Sequence, residues 1–462
     1  MCMSIELKTS AELEALAGGS DKAVSRLTFL FDDGKFTETG RYVTSGGSLS
    51  GVVTGFGYVD GVPVYAFSQD ISAKSGALTK QGADKISALY SLAAETGAPV
   101  VGIYDSYGAD VSDALTSLTA YGELLLKSAN LSGVVPTVSV VCGVCAGAAA
   151  MLAVNADLVV VTKDSELYVS PNSGIKDLAA NAAATGVAAL VADDDAAAFA
   201  AVKSFLGRVP QNNLAPVPMY EFEEPTAAFG TDAISQAEAV FDEGSVKELY
   251  ADFGKAAFTA LASIGGSCVG VLATNKTDDK LTVHDCSKLA RFMRMLDCFN
   301  IPAVTLVDTQ GFKNDEAAQK CGAVKAMAKV SHAYAEATNV KVSVVTGKAY
   351  GTAFMALAGK GANSDMTFAL DSSVISALDP LTAVEFLSHD KLAGAEDLAA
   401  ARQALADEYV SKECSAYAAA QCGAVDGVVT AAQVRGAVRE AVEIMAGKRA
   451  QRLPKKHSNI QL

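Results

Sequence analysis

The segment "VVCGVCAGAAAM", residues 140–151, holds two kinds of candidate chemistry. Cys142 and Cys145 form a C-x-x-C, the spacing of a redox dithiol or of half a zinc site. Gly143 and Gly147, in a run of small residues, instead fit a strand that turns tightly into a helix whose backbone N–H groups face a ligand. A zinc site needs a second pair of ligands. Of the four histidines (His284, His332, His389 and His457), only His284 lies at ligand spacing from a cysteine, Cys286, and no second pair follows. No metal is expected. His332, in "AKVSHAYAEAT", sits on a helical pattern and reads as a core or interface residue rather than a base. Neither a G-x-S-x-G elbow nor a G-x-x-x-x-G-K-[ST] phosphate loop occurs. Gly55, Gly57 and Gly61 outline a dinucleotide fingerprint, but Asp60-Gly61 turns straight into another strand where the fingerprint needs a helix.

What remains is the glycine turn, and it occurs twice. "VVCGVCAGAA" (140–149) returns as "VVTGKAYGTA" (344–353), 204 residues on. Each copy follows an apolar strand and precedes an Ala-rich helix. The first N–H groups of such a helix lack intrahelical partners and can stabilise a developing oxyanion without any ionisable side chain. Tight strand–helix packing would explain one such turn; two at matching places favour chemistry.

The elements that position these turns are duplicated as well. "FDDG" (31–34) recurs as "FDEG" (241–244), offset 210, and "APVVGIYDSYG" (98–108) as "IPAVTLVDTQG" (301–311), offset 203. Each unit opens with a hairpin, as in "GVVTGFGYVDGVPVYAFSQD", where Asp60-Gly61 makes the turn. A helix follows ("QGADKISALYSLAAETG"), then a buried strand, a second helix ("ALTSLTAYGELLLKSANLSG") and the strand "PTVSVVCG". Alternating strands and helices predict an α/β fold with parallel crossovers and loop chemistry at the strands' carboxyl ends. Two homologous domains, 1–222 and 223–462, are expected, joined through the Pro-rich, polar segment at 215–235. The Ala-rich stretch 179–207 fits one or two amphipathic helices, with Asp193–Asp195 as a solvated break or cap.

Composition narrows the function classes. A chain of 462 residues holds two or three domains. A net charge of −15 disfavours nucleic acid and anionic membrane, and the basic tail "KRAQRLPKKH" is too short to reverse that. Nine scattered cysteines do not make a disulfide framework. The opening "MCMSIELKTSAELEAL" carries acidic residues and no apolar core, unlike a secretion signal. The apolar stretch Val138–Val154 is short and glycine-broken, fitting a buried strand and helix rather than a membrane span. A cytoplasmic chain is expected.

At these residues the sequence resembles the carboxyltransferase subunits of biotin-dependent acyl-CoA carboxylases and decarboxylases. These include the propionyl-CoA carboxylase β-type and the glutaconyl-CoA and methylmalonyl-CoA decarboxylase α-type subunits. The matching text includes "RLTFLFDDGKF", "VVTGFGYVDGVPVYAFSQD", "SGVVPTVSVVCGVCAGAA", "CFNIPAVTLVDTQGF", "HAYAEATNVKVSVVTGKAYGTAF" and "LPKKHSNIQL". The resemblance implies two crotonase-like domains, the first holding coenzyme A and the second receiving biotin, with active sites formed between subunits. A homo-oligomer follows, a dimer at minimum and a hexamer in the usual assembly. It implies that carboxybiotin yields CO2 and a biotin enolate stabilised by one oxyanion hole, that biotin serves as base, and that a second hole stabilises the thioester enolate. Carried over by match, the first hole falls on the amides of Gly147 and Ala148 and the second on those of Thr352 and Ala353. Substrate contacts fall on Gly108, Ala109, Tyr350, Gly351, Phe354 and Met355, the last beside the second hole at a position that helps set acyl-chain choice. Where the family reads "DSGGARIQEG" this chain has "DSYGADVSDA", with Tyr107 for a Gly and Asp110 for the Arg; "ATGVAALVADD" abbreviates a longer Gly- and His-rich segment. No biotinylation segment and no ATP-grasp loop is found, so the biotin carrier protein and any biotin carboxylase or membrane decarboxylase pump are expected on separate chains, with membrane association only through them. Two other functions stay open. A crotonase-type hydratase, isomerase or hydrolase needs a carboxylate near a hole, and Asp157 is the nearest after the first. A non-catalytic scaffold paralogue is motivated by Asp110.

Overall fold

The computed structural model describes residues 8–17, 21–171, 174–361, 363–450 and 453–460. Residues 1–7, part of the segment read for a secretion signal, and the last two residues of the tail lie outside them. Two compact units result, Met1–Pro216 and Val217–Leu462. Residues 217–222, read from sequence as the end of the first domain, belong with the second: the Tyr220 N–H donates to the Gly266 carbonyl at 2.9 Å.

In the first unit, α1 (Asp21–Leu30) and β1 (Phe36–Thr39) precede the hairpin of β2 (Val52–Val59) and β3 (Val62–Gln69). The hairpin turn needs positive φ at both central residues, and Asp60 (49°) and Gly61 (76°) supply it. Both turn amides donate to the Asp32 carboxylate at 3.0 Å. The "FDDG" motif is therefore a clamp on the hairpin. Next come α2 (Lys80–Thr96), β4 (Val100–Ser106), α3 (Ala114–Leu131), β5 (Thr137–Ala146) and α4 (Ala148–Ala153). The Thr79 hydroxyl accepts from the Gly82 N–H to start α2, and Gly97, at φ 67°, ends it. β6 (Leu158–Thr162), β7 (Glu166–Tyr168), β8 (Leu190–Ala192) and α5 (Asp195–Leu206) follow, with a short helix, Leu178–Ala184, between β7 and β8. The sheet order is β1-β2-β3-β4-β5-β6-β8, with β7 paired to the far end of β5. The first three strands run antiparallel and the rest parallel. In the Ala-rich stretch, Asp194 caps α5 by accepting from the Ala197 N–H at 2.8 Å, and a short strand, β8, lies where sequence showed only helix.

The second unit repeats this order. It contains α6 (Ala233–Val240), β9 (Lys247–Glu248), β10 (Phe258–Ile264), β11 (Ser267–Ala273), α7 (Val283–Cys298), β12 (Ala303–Thr309), α8 (Ala323–Glu336) and β13 (Lys341–Tyr350). There follow α9 (Thr352–Leu357), β14 (Met366–Leu370), β15 (Val374–Ser376), β16 (Gly427–Val429) and α10 (Val434–Met445). Its sheet order, β9-β10-β11-β12-β13-β14-β16 with β15 on β13, matches the first strand for strand. The "FDEG" aspartate repeats the clamp: Asp242 accepts from Gly265 and Gly266 N–H, each at 2.9 Å.

Each sheet buries its own core. Phe67, Tyr90, Tyr104, Tyr121 and Leu124 fill the first, and Phe241, Phe258, Val304, Leu306, Val342 and Val438 the second. At roughly 1.5–3 kcal/mol for each fully buried large side chain, these clusters are the main force holding the strands in register. Among the described residues, no helix is long and apolar enough to cross a membrane.

Candidate active site

Both glycine turns leave the carboxyl end of a ten-residue strand, β5 or β13, and open a six-residue helix, α4 or α9. Gly147 has φ 57° and ψ −123°, and Gly351 has φ 55° and ψ −127°. Only glycine adopts that region readily, so the two turns share one backbone shape that no other residue would hold without strain.

The Gly147 N–H, expected as an oxyanion donor, already has an acceptor. It donates to the Tyr168 carbonyl at 3.0 Å, as Gly351 donates to the Ser376 carbonyl at 2.8 Å. The ladders to β7 and β15 hold both turns in place and occupy these two amides. Of the expected first pair, Ala148 alone keeps an amide with no described acceptor. Thr352 and Ala353 both do, and Ala149 is the first repeat's counterpart of Ala353.

Gly108 and Ala109 lie against the same turn. A Cβ added to Gly108, whose φ is 101°, would stand 2.9 Å from the Ala146 carbonyl and 3.8 Å from the Ala148 nitrogen. The Gly108 carbonyl accepts from Leu78 at 2.8 Å and the Asp110 amide donates back to Leu78 at 3.4 Å. Since backbone groups alternate sides along an extended chain, the Ala109 N–H faces away from Leu78. In the second repeat Gly311, at φ 113°, packs its backbone near the Tyr350 carbonyl, and the Lys313 amide donates to Leu281 at 2.8 Å. Phe312 is thus the counterpart of Ala109. Sequence reasoning missed it, although the 203-residue offset points to it. Each site is then a backbone cradle: Ala109 with Ala148 in one repeat, Phe312 with Thr352 in the other.

Side chains around the turns are mostly apolar. Tyr350 is buried, and burial, helped by Asp379, pushes its phenol up to about 12. Phe354 is half-buried, whereas Met355 is 57% exposed on α9. Met151, 204 residues earlier, is 51% exposed at the matching place on α4 and was not singled out from sequence. A cavity of about 550 Å³ beside the first turn is lined by Lys163, Tyr168 and Lys176. Asp164, Glu166 and Asp177 outnumber its lysines, so charge alone does not mark it for a polyanion.

Tyr107, in place of the family glycine, is exposed. Asp110, in place of the family arginine, takes a structural part. The Lys74 ammonium at 2.8 Å and the Ser112 hydroxyl and amide hold its carboxyl at about 2. The second repeat has the pair reversed, with Asp278 and Lys313 at 2.6 Å. Cys142 and Cys145 are buried free thiols, and burial raises both well above the ordinary thiol range, which leaves neither fit for thiolate chemistry. Asp157 is bound by the Thr137 amide and hydroxyl, each at 2.9 Å, at the opposite end of β5 from the turn. Asp157, the carboxylate offered for a hydratase, is therefore not at the hole.

Comparison with known proteins agrees with this architecture. The family model for the carboxyl transferase domain matches residues 14–460. The methylmalonyl-CoA decarboxylase α subunit of Propionigenium modestum is 31% identical, covering 96% of this chain and 94% of its own. The propionyl-CoA carboxylase β chain of Saccharopolyspora erythraea is 33% identical, covering 97% and 94%. The crystal structure of transcarboxylase 12S, a hexamer with methylmalonyl-CoA and methylmalonic acid bound, superposes with a TM-score of 0.90 at 29% identity, over 98% of this chain and 95% of that one. Its tandem crotonase-like fold is the fold found here. With a family match over nearly the whole chain, this protein belongs to the carboxyl transferase family and is a carboxyltransferase.

Proposed function

We propose that this chain is the carboxyltransferase subunit of a multi-subunit biotin-dependent enzyme, moving a carboxyl group between biotin on a separate carrier protein and an acyl-CoA. One observation carries the proposal: two matched cradles offer backbone N–H groups without a described acceptor. Such donors fit an oxygen that gains negative charge, whether a thioester carbonyl or a ureido carbonyl. Biotin supplies the carboxyl group and the base. The chain's own residues hold the two carbonyls: Ala109 and Ala148 for one, Phe312 and Thr352, with Ala353 beside it, for the other. Gly108, Gly147, Gly311 and Gly351 let the ligands approach the backbone. Tyr350, Phe354 and Met355 supply apolar surface toward the acyl group. The first domain serves the acyl-CoA and the second the biotin.

Candidate substrates are the propionyl/methylmalonyl, acetyl/malonyl and glutaconyl pairs. A homo-oligomer, a biotin carboxyl carrier protein, and either a biotin carboxylase or a membrane decarboxylase pump complete the proposed assembly, a cytoplasmic enzyme attached to membrane only through partners. The test is to incubate the purified protein with free biotin and malonyl-, methylmalonyl- or glutaconyl-CoA and follow loss of the acyl-CoA carboxyl group. Biotin-dependent loss with one of them is the expected result. No turnover with any, alongside normal oligomers, would favour a scaffold role instead.

A further inference from the structure

We propose that Asp105 and Asp308 are positioning residues for the two donor turns, and that each D-[S/T]-x-G run ("DSYG" 105–108, "DTQG" 308–311) is one device that sets both halves of its cradle. The proposal rests on the cradle reading above. The β4–β5 ladder runs in register from Val100↔Thr137 to Tyr104↔Val141, then jumps to Ser106↔Cys145. The β12–β13 ladder makes the same jump, from Val307↔Val345 to Thr309↔Ala349. Each jump leaves extra residues on the strand that leads into the glycine turn, and their amides have lost their ladder acceptors.

The aspartate fills that gap. Asp105 Oδ1 accepts from the Val144 N–H at 3.2 Å, and Asp308 Oδ1 from the Lys348 N–H at 2.8 Å. The carboxyl groups occupy the place where a side chain would otherwise stand. A Cβ on Gly143 would lie 2.2 Å from Asp105 Oδ1, and one on Gly347 2.4 Å from the Asp308 carboxyl carbon. That explains the first glycine of each "G-x-x-x-G". The next residue shapes the other half of the cradle: Ser106 Oγ accepts from the Gly108 N–H at 3.0 Å, and Thr309 Oγ1 from the Gly311 N–H at 3.1 Å. Two consecutive side chains thereby fix both peptide segments whose neighbouring amides form the cradle.

The repeats differ in how the second carboxylate oxygen is met. Asp105 Oδ2 takes the buried Arg26 at 2.8 Å, and Arg26 also reaches Asp195 (3.1 Å) and the Cys142 carbonyl (2.7 Å). In the second repeat Asn275 Nδ2 donates to Asp308 Oδ2 at 2.7 Å. Gln236, the offset-210 counterpart of Arg26, accepts from the Thr346 hydroxyl at 2.9 Å. Removing Asp105 would leave a buried arginine short of a partner, so the test is made on Asp308.

The variants are Asp308→Ala, Asp308→Asn, Gly347→Ala and Asp308→Ala/Gly347→Ala in the full-length protein, assayed for carboxyl loss and by hydrogen–deuterium exchange. We expect Asp308→Ala to lower kcat about 10²-fold, the order of loss for a misplaced reacting geometry, with KM for the acyl-CoA little changed. Asp308→Asn keeps most of the activity, because its amide oxygen still accepts from Lys348 while the Asn275 amide turns over to accept from the new NH2 group. Gly347→Ala alone loses as much as Asp308→Ala, and the double variant loses no more than either, since the added methyl then has room. Wild-type kcat in Asp308→Ala, equal loss in Asp308→Asn, or multiplied losses in the double variant would each overturn the proposal. Exchange over residues 348–357 rises in Asp308→Ala and stays at wild-type level elsewhere, and an unchanged 348–357 segment overturns it as well. That readout needs no substrate. If wild-type protein turns over none of the acyl-CoAs, the carboxyltransfer reading fails while the positioning role is still decided.

Discussion

Gly147→Ala and Gly351→Ala test whether the two turns are equal in shape but unequal in room. Both backbones sit near φ 56° and ψ −125°, so either alanine carries strain of about 1–3 kcal/mol. The surroundings then separate them. An added Cβ at Gly147 meets only the Val169 carbonyl, at 3.8 Å, an ordinary contact. At Gly351 it would lie 2.9 Å from the Ala377 carbonyl, a backbone atom that cannot step aside cheaply. That adds an overpacking cost of roughly 1–3 kcal/mol. The chain's simplest relief is to rotate the turn into an ordinary region, which breaks the bond from residue 147 to Tyr168, or from 351 to Ser376, and swings the next amide out of the cradle. Loss of one oxyanion donor costs about 10²–10³ in kcat. We therefore expect both variants to lose at least about 10²-fold in carboxyl loss from the acyl-CoA, and Gly351→Ala to unfold at distinctly lower urea than Gly147→Ala. Urea unfolding followed by circular dichroism, with steady-state kinetics on the folded fraction, measures both. Equal urea sensitivity would refute the steric argument at Ala377. Full activity in both would refute the requirement for the turn itself.

Cys142→Ser/Cys145→Ala should keep most activity, because Thr346 and Ala349 fill the matching places; a folded but inactive double variant in the same assay would revive the dithiol. Ala148→Val should abolish turnover while leaving the urea midpoint nearly unchanged, since its β-branch crowds the donor amide of a half-buried residue. Lys85 and Lys288, matched across the repeats, donate into the carbonyls of Val52 and Ala257, and burial pulls both down to about 8. A lysine depressed from 10.5 binds fewer protons folded than unfolded between those values, so stability rises from about pH 8 to 10.5. Lys85→Met/Lys288→Met should flatten that slope in urea unfolding, and an unaltered slope would count against the buried amines as its source.

The duplication was legible because it was written in short-range terms. The glycines of the turns, the Asp60-Gly61 hairpin and the alternation of strand and helix all act within a few residues, and a constant offset multiplies their weight. What sequence did not disclose depends on partners distant along the chain. Tyr168 takes the Gly147 amide through a three-residue strand with little pattern of its own. Arg26 meets Asp105 across 79 residues, and nothing near either one announces the other. Met151 and Phe312 were available through the offsets once their counterparts were known. The Ala-rich stretch hid β8 because Leu190–Ala192 is too short to show a period.

The departures from exact repetition separate what the turns require from what the sites can vary. Backbone devices are kept on both sides: the jump in register, the glycine under the carboxylate, the Ser or Thr hydroxyl on the next glycine amide. Charges around them are not kept. Lys74 and Asp110 exchange sign as Asp278 and Lys313, and the buried Arg26 gives way to Gln236. A pair of opposite charges at hydrogen-bond distance tethers two loops equally well in either order, so its sign is free to drift. A buried charge is not free in that way. Arg26 can become Gln only if its contacts change with it, and in the second repeat they do: Asn275 takes over the carboxylate, while Thr346 in place of Cys142 supplies a hydroxyl for the glutamine oxygen. Asp110 is thus held as one half of a tether by Lys74. On the proposed reading, the absence of an arginine there leaves the amides of Ala109 and Ala148 where the turn puts them.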